Sequence, residues 1–232
     1  MQKDIHPKIA EMLEAGAHFG YSKTRRHPTV KKFVFTTKNG VDYINLEKTV
    51  ELLESAEEFV KTFAQGDKQI LFVGTKPEAR KAILEAAESI DMPHVTQRWV
   101  GGTITNDTEI KKRVKLLQDL ESQKEKGELE KYTKKERLLI DEKIAKMTRL
   151  FAGLIPLRKM PDALIVIDTK DEDIAVTEAR KAGIPIIGLL NTDTKLSSAD
   201  YPIVGNDGSV SSISLFVNAL VEAYKSGKAI SK

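Results

Sequence analysis

Residues 70–78 have the sequence Ile70-Leu71-Phe72-Val73-Gly74-Thr75-Lys76-Pro77-Glu78, in which an apolar run is followed by signals for a helix. Four consecutive apolar residues are typical of a strand that is covered on both faces of a sheet. Pro77 suits the first turn of a helix, and Thr75 with Glu78 matches a capping box. The segment therefore predicts a buried strand that leads directly into a helix, which is the repeating unit of parallel α/β sheets.

The alternation of strands and helices continues on the C-terminal side. Further strands are predicted at residues 94–96, Ala163–Ile167, residues 184–190 and Tyr201–Val204. Another capping box, Thr169 with Glu172, follows the third strand, and a helix at residues 211–226 closes the chain. This order predicts an α/β fold, a doubly wound parallel sheet of about five strands with right-handed crossovers and helices on both faces.

The connection between the second and third strands is much longer than a crossover helix requires. It contains two further capping boxes, Asn106 with Glu109 and Thr133 with Glu136. The apolar residues after these boxes are spaced by four and three: Ile110, Val114, Leu117 and Leu120, then Ile140, Ile144, Met147 and Phe151. This spacing predicts an inserted antiparallel coiled-coil hairpin. The hairpin either projects freely or leans on a protein partner, and the candidate contacts are Lys111, Lys115, Lys131 and Lys135.

The N-terminal part has a different pattern. A short helix is expected at residues 7–15, and Asn39-Gly40 between two apolar runs is a strong signal for a β-hairpin. A helix over Leu46–Ala64 follows, with Gly66 as its stop. We therefore expect three parts. They are residues 1–45, with the helix, a basic segment and the β-hairpin; residues 46–105 and 152–232, as the sheet domain; and residues 106–151, as the inserted helical hairpin.

Charge is distributed unevenly along the chain. The sequence has 37 basic and 34 acidic residues and a net charge of +3. Residues 21–40, the basic segment, contain no acidic residue and six cations: Lys23, Arg25, Arg26, Lys31, Lys32 and Lys38. One cationic face on a nearly balanced chain is typical of proteins that bind nucleic acid, although a solvated loop would have the same composition.

Several classes of chemistry lack the residues that they need. Cysteine is absent, which excludes disulfides, thiolate nucleophiles and Cys-ligated zinc. The four histidines, His6, His18, His27 and His94, have no spacing typical of paired metal ligands. Residues 1–7 have no apolar export signal, and no apolar run approaches the ~18 residues of a membrane span. We therefore expect a cytoplasmic protein without a membrane partner.

Residues 97–106, the tryptophan loop, have the sequence Gln-Arg-Trp-Val-Gly-Gly-Thr-Ile-Thr-Asn. The only tryptophan, Trp99, lies beside Arg98, and Gly101 with Gly102 lets the backbone approach a bulky partner closely. The polar side chains that follow are Thr103, Thr105 and Asn106. The loop either binds a polyanion, with Trp99 stacked on a base, or packs its tryptophan in the core. For Trp99 itself we favour a role in supporting the loop from below.

An α/β enzyme that binds a nucleotide or a metal is the main alternative. In open α/β sheets, ligands bind beyond the carboxyl ends of the strands. The residues predicted there are Gly74, Thr75, Lys76, Asp168, Thr169, Asn191 and Asp193. However, the turn after the first strand lacks the second glycine and the Lys-Ser/Thr pair of a phosphate loop. Asp193, Asp200 and Asp207 could hold a cation or could cap turns. We therefore expect no catalytic residue, no metal and no cofactor.

Motifs along nearly the whole chain are similar to those of one known family, in the same order. The N-terminal motifs are residues 12–20, Thr24-Arg25-Arg26, Asn39-Gly40-Val41 and Leu46-Glu47-Lys48-Thr49. The later motifs are residues 70–76, residues 98–103 with Thr105-Asn106, residues 161–164 and residues 205–207. Together they resemble the small-ribosomal-subunit protein S-two family. The chain departs from the family pattern at Tyr21, at residues 27–30 and 191–195, at Asp207-Gly208 and at a serine in the last helix.

The resemblance implies a structural component of the ribosome that binds small-subunit rRNA on the solvent side, where the head meets the body. It implies a flavodoxin-like sheet with strand order 2-1-3-4-5 and a coiled-coil hairpin of the bacterial or organellar type. The implied partners are small-subunit rRNA, neighbouring small-subunit proteins and, in many bacteria, the large messenger-binding protein S-one. We expect no homo-oligomer.

The RNA contacts are expected in the basic segment and the tryptophan loop. The candidates in the basic segment are Tyr21, Lys23, Thr24, Arg25, Arg26, His27, Lys31, Lys32, Lys38 and Asn39. Those in the tryptophan loop are Arg98, Trp99, Gly101, Gly102, Thr103, Thr105 and Asn106. Arginine suits phosphate because its planar guanidinium donates two parallel hydrogen bonds. We expect recognition mainly of RNA shape, through phosphate and ribose contacts.

Overall fold

The computed structural model describes residues 7–66 and 68–230. His6 and the segment before it, on which the expectation about an export signal depends, lie outside the described residues. Within these two ranges, no helix combines the length and the apolar character that crossing a bilayer would require.

The N-terminal part contains a small antiparallel sheet. After helix α1 (Pro7–Glu14) come the strands β1 (Phe19–Ser22), β2 (Val34–Lys38) and β3 (Val41–Ile44), with β3 in the centre. The predicted β-hairpin is confirmed, since Asn39 and Gly40 connect β2 to β3 with φ angles of 52° and 77°. Positive φ at both positions is what a type I′ turn requires. The third strand, β1, had no signal in the sequence.

A parallel five-stranded sheet forms the centre of the molecule. Its strands are β4 (Ile70–Val73), β5 (His94–Val95), β6 (Ala163–Ile167), β7 (Ile186–Leu190) and β8 (Tyr201–Val204). Their spatial order is β5-β4-β6-β7-β8, which is the order 2-1-3-4-5 implied by the resemblance. The predicted fold class is confirmed, although β5 and β7 are shorter than the sequence suggested.

Helices cover both faces of this sheet. On one face lie α2 (Leu46–Ala64), α3 (Pro77–Glu88) and α7 (Val210–Ile230), which share a core with Phe72 of β4. On the other face, α4 (Asp107–Glu125), α5 (Lys134–Phe151) and α6 (Asp173–Lys181) share a core with Leu71 and Val73 of β4. Alternate side chains of β4 therefore enter opposite cores, as the pleat of a strand requires.

Helices α4 and α5 occupy the long connection between β5 and β6, and they pack against each other. Their buried seam consists of Ile110, Leu117, Ile144, Met147 and Phe151, which are members of the predicted apolar stripes. Lys124 Nζ of α4 lies 2.7 Å from Asp141 Oδ1 of α5, and Thr148 Oγ1 donates to Glu121 Oε1 at 3.0 Å. The seam continues into the core on that face of the sheet. Whether the outer part leans on a partner stays a prediction.

Only one of the four predicted capping boxes is present. Thr133 and Glu136 form a complete box at the start of α5. The box at Thr75 and Glu78 is wrong, because α3 begins one residue later, with Lys76 as its N-cap. The box at Thr169 and Glu172 is wrong because Glu172 is itself the N-cap of α6. Asn106 is the N-cap of α4, but its side chain makes no capping hydrogen bond.

Candidate nucleic-acid interface

The basic segment is attached to the carboxyl edge of the parallel sheet. Tyr21 N donates to Thr192 Oγ1 at 2.9 Å, and His27 N donates to the Thr192 carbonyl oxygen at 2.8 Å. A Cβ on Gly20 would lie 2.6 Å from Thr192 Cγ2, so only glycine permits this approach. Thr29 Oγ1 also accepts from Leu196 N at 3.1 Å. The small sheet is therefore held on the end of the larger one at several points.

Most cations of the basic segment point into solvent. The exposed ones are Lys23, Arg25, Lys31, Lys32 and Lys38. No ion pair joins any of these five to a carboxylate of residues 7–66 or 68–230. The guanidinium carbon of Arg25 lies 5.9 Å from the centre of the Tyr21 ring, and Asn39 is exposed at the tip of the β-hairpin. The segment thus presents uncompensated positive charge on an ordered scaffold.

Arg26 is an exception among these cations. Its Nη1 lies 3.3 Å from Oδ1 of Asp42, a residue of β3 that is completely buried. Thr37 Oγ1 donates to the same carboxylate oxygen at 2.7 Å. Removing Arg26 would leave a buried charge without its counter-ion. The Arg26 guanidinium therefore neutralises an internal carboxylate, and its predicted contact with RNA stays a prediction.

Two other predicted contacts in this segment are partly engaged within the protein. The ring nitrogen Nδ1 of His27 lies 2.8 Å from Thr29 Oγ1 and accepts from Thr29 N, which caps the short helix Pro28–Phe33. Thr24 Oγ1 lies 2.9 Å from Ser22 Oγ and remains exposed. Both side chains therefore fix the shape of the turn, and they border the exposed cations.

The tryptophan loop is folded around one carboxylate, that of Glu178 in α6. Oε1 accepts from Trp99 Nε1 at 3.1 Å and from Gly102 N at 2.8 Å. Oε2 accepts from Ile104 N at 3.1 Å, from Thr105 N at 3.2 Å and from Thr105 Oγ1 at 3.1 Å. Burial raises the pKa of Glu178, but these hydrogen bonds outweigh burial, so the pKa lies below its ordinary value.

The same arrangement determines which loop residues can reach a partner. Trp99 is 6% exposed and Thr103 is 1% exposed, and Thr103 Oγ1 donates to the Val100 carbonyl oxygen at 2.6 Å. This corrects the prediction that these two side chains contact RNA, and it agrees with the supporting role favoured for Trp99. The exposed loop residues are Arg98, Gly101, Thr105 and Asn106. Gly102 is half-buried with a φ of 92°.

The carboxyl edge of the sheet, where an enzyme of this architecture would bind its ligand, is occupied by an internal ion cluster. Lys76 Nζ pairs with Asp168, which follows β6, and lies 2.9 Å from Asp207 Oδ2. Asn191 Nδ2 donates to Asp207 Oδ1 at 2.8 Å. Burial lowers the pKa of Lys76, but the two aspartates outweigh it and raise that pKa. Burial and the neighbouring Asp168 raise the pKa of Asp207 to about 6.

The three aspartates that could have formed a cation site do not come together. Asp193 pairs with Lys170 at 2.7 Å, and Asp207 belongs to the lysine cluster. Asp200 accepts from Ile186 N at 2.9 Å, at the opposite, amino end of β7. Among the described residues, no group of three or more His, Asp or Glu is placed to hold a metal ion.

Comparison with known proteins identifies the family. A family model described as "Ribosomal protein S2" matches residues 12–227, most of the chain. The chain belongs to the ribosomal protein S2 family. A relative from Chloroflexus aurantiacus, named small ribosomal subunit protein uS2, is 41% identical over 215 residues, which cover 93% of this chain and 90% of the relative. The protein of the same name from Mycobacteroides abscessus is 40% identical over 219 residues, covering 94% and 79%.

In this member of the ribosomal protein S2 family, the hairpin lysines have mixed environments. Lys111 pairs with Asp107 at 2.7 Å, and Lys131 Nζ lies 5.4 Å from the centre of the Tyr132 ring. Lys115 and Lys135 are exposed, and among residues 7–66 and 68–230 they have no carboxylate partner. Sequence reasoning missed Asp42, which pairs with Arg26 of the basic segment, and Glu178, which holds the tryptophan loop. No local pattern could have found Glu178, because its partners lie 73 to 79 residues away.

Proposed function

We propose that this protein is a structural constituent of the small ribosomal subunit that binds small-subunit rRNA and catalyses no reaction. The observation that carries the proposal is the row of exposed cations Lys23, Arg25, Lys31, Lys32 and Lys38, on a small sheet fixed to the larger one. The exposed loop residues Arg98, Gly101, Thr105 and Asn106 complete the proposed RNA surface. Membership of the ribosomal protein S2 family supports the assignment.

The physical basis is the attraction between a phosphate backbone and cations on a rigid support. Each phosphate neutralised by Lys or Arg releases condensed counterions, so affinity falls as salt rises. Because the basic segment is held by hydrogen bonds to Thr192 and Leu196, little chain entropy is lost when RNA binds. Contacts to phosphate and ribose recognise the shape of a folded RNA.

The enzyme alternative has less support. The Lys76 ammonium already lies between Asp168 and Asp207 at the edge where a nucleotide would place its phosphates. The segment after α1 also packs against this edge. Asn206, which follows β8, donates to the carbonyl oxygens of Gly16 and Ala17, each at 3.0 Å. A ligand at this edge would have to break these internal ion pairs and hydrogen bonds.

Neighbouring small-subunit proteins are further proposed partners, with the exposed hairpin lysines Lys115 and Lys135 as contacts. The messenger-binding protein S-one, which the resemblance implies for many bacteria, belongs to the same proposal. The protein is proposed to act as a single copy in the subunit.

The salt dependence of rRNA binding tests the RNA surface. Lys23→Ala/Arg25→Ala should make the negative slope of log affinity against log salt shallower by about 0.7–0.9 per lost phosphate contact. Arg26 is left intact because it pairs with Asp42. The matched control is Lys61→Ala/Lys181→Ala, which removes two exposed lysines of α2 and α6. An unchanged slope in the first variant would remove the basic segment from the interface. A thermal shift with millimolar nucleotide would instead favour the enzyme.

A further inference from the structure

A cleft with a volume of about 460 Å³ lies between the tryptophan loop and the C-terminal half of α5. Arg98 and Gly101 line it from the loop, and Lys146 and Arg149 line it from the helix. Trp99 and Leu150 contribute apolar surface between these walls. Residues 146 and 149 are three apart in α5, so they lie on the same side of the helix. The cleft therefore has cations on both walls.

Among the residues that the structure describes, no acidic side chain lines this cleft. Within residues 7–66 and 68–230, Arg98, Lys146 and Arg149 form no ion pair, whereas other hairpin cations do, such as Lys111 with Asp107 and Lys124 with Asp141. Glu142, one turn before Lys146, does not neutralise it. Three uncompensated cations around one opening repel one another, and a bound anion would relieve that repulsion.

The loop wall of the cleft is rigid. Trp99, Gly102, Ile104 and Thr105 all donate to Glu178, so the loop is already in one conformation before a ligand arrives. The rim at Gly101 is open, because a Cβ built there would meet nothing within 4 Å. A preformed site with an open rim favours a ligand that continues beyond the cleft on either side.

We infer that this cleft binds the phosphodiester backbone of a second segment of small-subunit rRNA, with Arg98, Lys146 and Arg149 as the phosphate contacts. The inference rests on the proposed function and adds α5 to the RNA surface. RNA is favoured over an acidic protein because Arg98 and Gly101 continue into the exposed Thr105 and Asn106 of the same loop. Two arginines on opposite walls also suit phosphate, which accepts paired hydrogen bonds from a guanidinium.

The test compares full-length variants for binding to small-subunit rRNA over a series of salt concentrations. Lys146→Ala/Arg149→Ala should make the negative salt slope shallower by about 0.7–0.9 per lost contact. The control Lys61→Ala/Lys181→Ala makes the same change of net charge outside the cleft and should leave the slope unchanged. Gly101→Glu adds an anion at the rim without strain, since φ there is not positive, and should also weaken binding.

The outcomes separate this inference from the proposed function. If Lys23→Ala/Arg25→Ala makes the slope shallower while both cleft variants bind rRNA like the wild type, the cleft inference is wrong and the proposed function stands. If no variant makes the slope shallower, the proposed RNA surface itself is wrong. If polyglutamate binds the wild type but not Lys146→Ala/Arg149→Ala, and rRNA binding is unaffected, the cleft serves an acidic protein and the inference is overturned.

Discussion

The indole N–H of Trp99 donates to Oε1 of Glu178 at 3.1 Å, across 79 residues of sequence. This bond joins the tryptophan loop to α6 and turns the only tryptophan inward. Because the same carboxylate also accepts from three backbone N–H groups, one side chain satisfies donors that would otherwise be buried without partners. The loop is exposed to a partner through Arg98, Gly101, Thr105 and Asn106, and of these only Thr105 is bonded to Glu178.

Replacing Glu178 by alanine should therefore destabilise the whole domain. Each buried donor left without a partner costs roughly 1–3 kcal/mol, and both Trp99 Nε1 and Ile104 N are buried. We expect a loss of about 3 kcal/mol or more in the free energy of unfolding, measured by urea denaturation. Thr177→Ala, at the exposed neighbouring position, should change stability by about 0.5 kcal/mol or less. Equal stability of the two variants would contradict the role of Glu178.

Asp207 should make stability depend on pH in a defined window. Burial raises its folded-state pKa from 3.8 to about 6. Between these values the unfolded chain loses the proton while the folded protein keeps it, so the contribution of Asp207 to stability falls as pH rises from about 4 to about 6. Asp207→Asn keeps an oxygen for Asn191 but cannot titrate.

The measurement is the free energy of unfolding of both proteins at several pH values. The stability of Asp207→Asn relative to the wild type should increase across pH 4 to 6, by an amount on the order of 1–3 kcal/mol, and then stay constant. A difference that does not change across this window would show that Asp207 titrates normally in the folded state.

Arg26 and Asp42 should behave as a coupled pair. Arg26→Ala leaves the buried Asp42 carboxylate with Thr37 as its remaining partner, so we expect a loss of about 3 kcal/mol in stability. Adding Asp42→Asn removes the stranded charge and should recover part of that loss. Arg25→Ala, at an exposed site without an ion pair among the described residues, should stay within about 0.5 kcal/mol of the wild type. Additive effects in the double variant would exclude coupling.

The capping boxes show why some local signals were sufficient and others were not. Thr133 and Glu136 lie at the exposed end of the hairpin and bond to each other, so the predicted box forms. Glu172, in contrast, accepts from Thr75 N at 2.8 Å. Its predicted partner Thr169 instead bonds to Ser198. A local capping motif therefore predicts the start of a helix only where its side chains do not bond to distant parts of the chain.

The same difference between local signals and distant contacts applies to the strands and to the candidate RNA-binding residues. The apolar run Ile70–Val73 and the Asn39-Gly40 turn were predictable because the signal is contained in a few adjacent residues. Strand β1 was not predictable, because it depends on pairing to β3 and on Thr192. The cationic character of residues 21–40 was visible in the sequence. The inward orientation of Arg26 was not, since it depends on an aspartate 16 residues away.

Gly227 provides a test of how closely α7 packs on α2. A Cβ at this position would lie 2.3 Å from the carbonyl oxygen of Lys61 and 2.9 Å from Ala64 Cβ, so one of the two helices would have to move. At an exposed helical site, Gly→Ala stabilises a protein by about 1 kcal/mol. Here we expect Gly227→Ala to destabilise by about 1–3 kcal/mol, which reverses the usual sign. Thermal unfolding followed by circular dichroism, with Ser226→Ala as the neighbouring control, measures the difference. A higher Tm for Gly227→Ala than for the wild type would contradict this close packing, because it would show that the space between α2 and α7 accommodates the added methyl group.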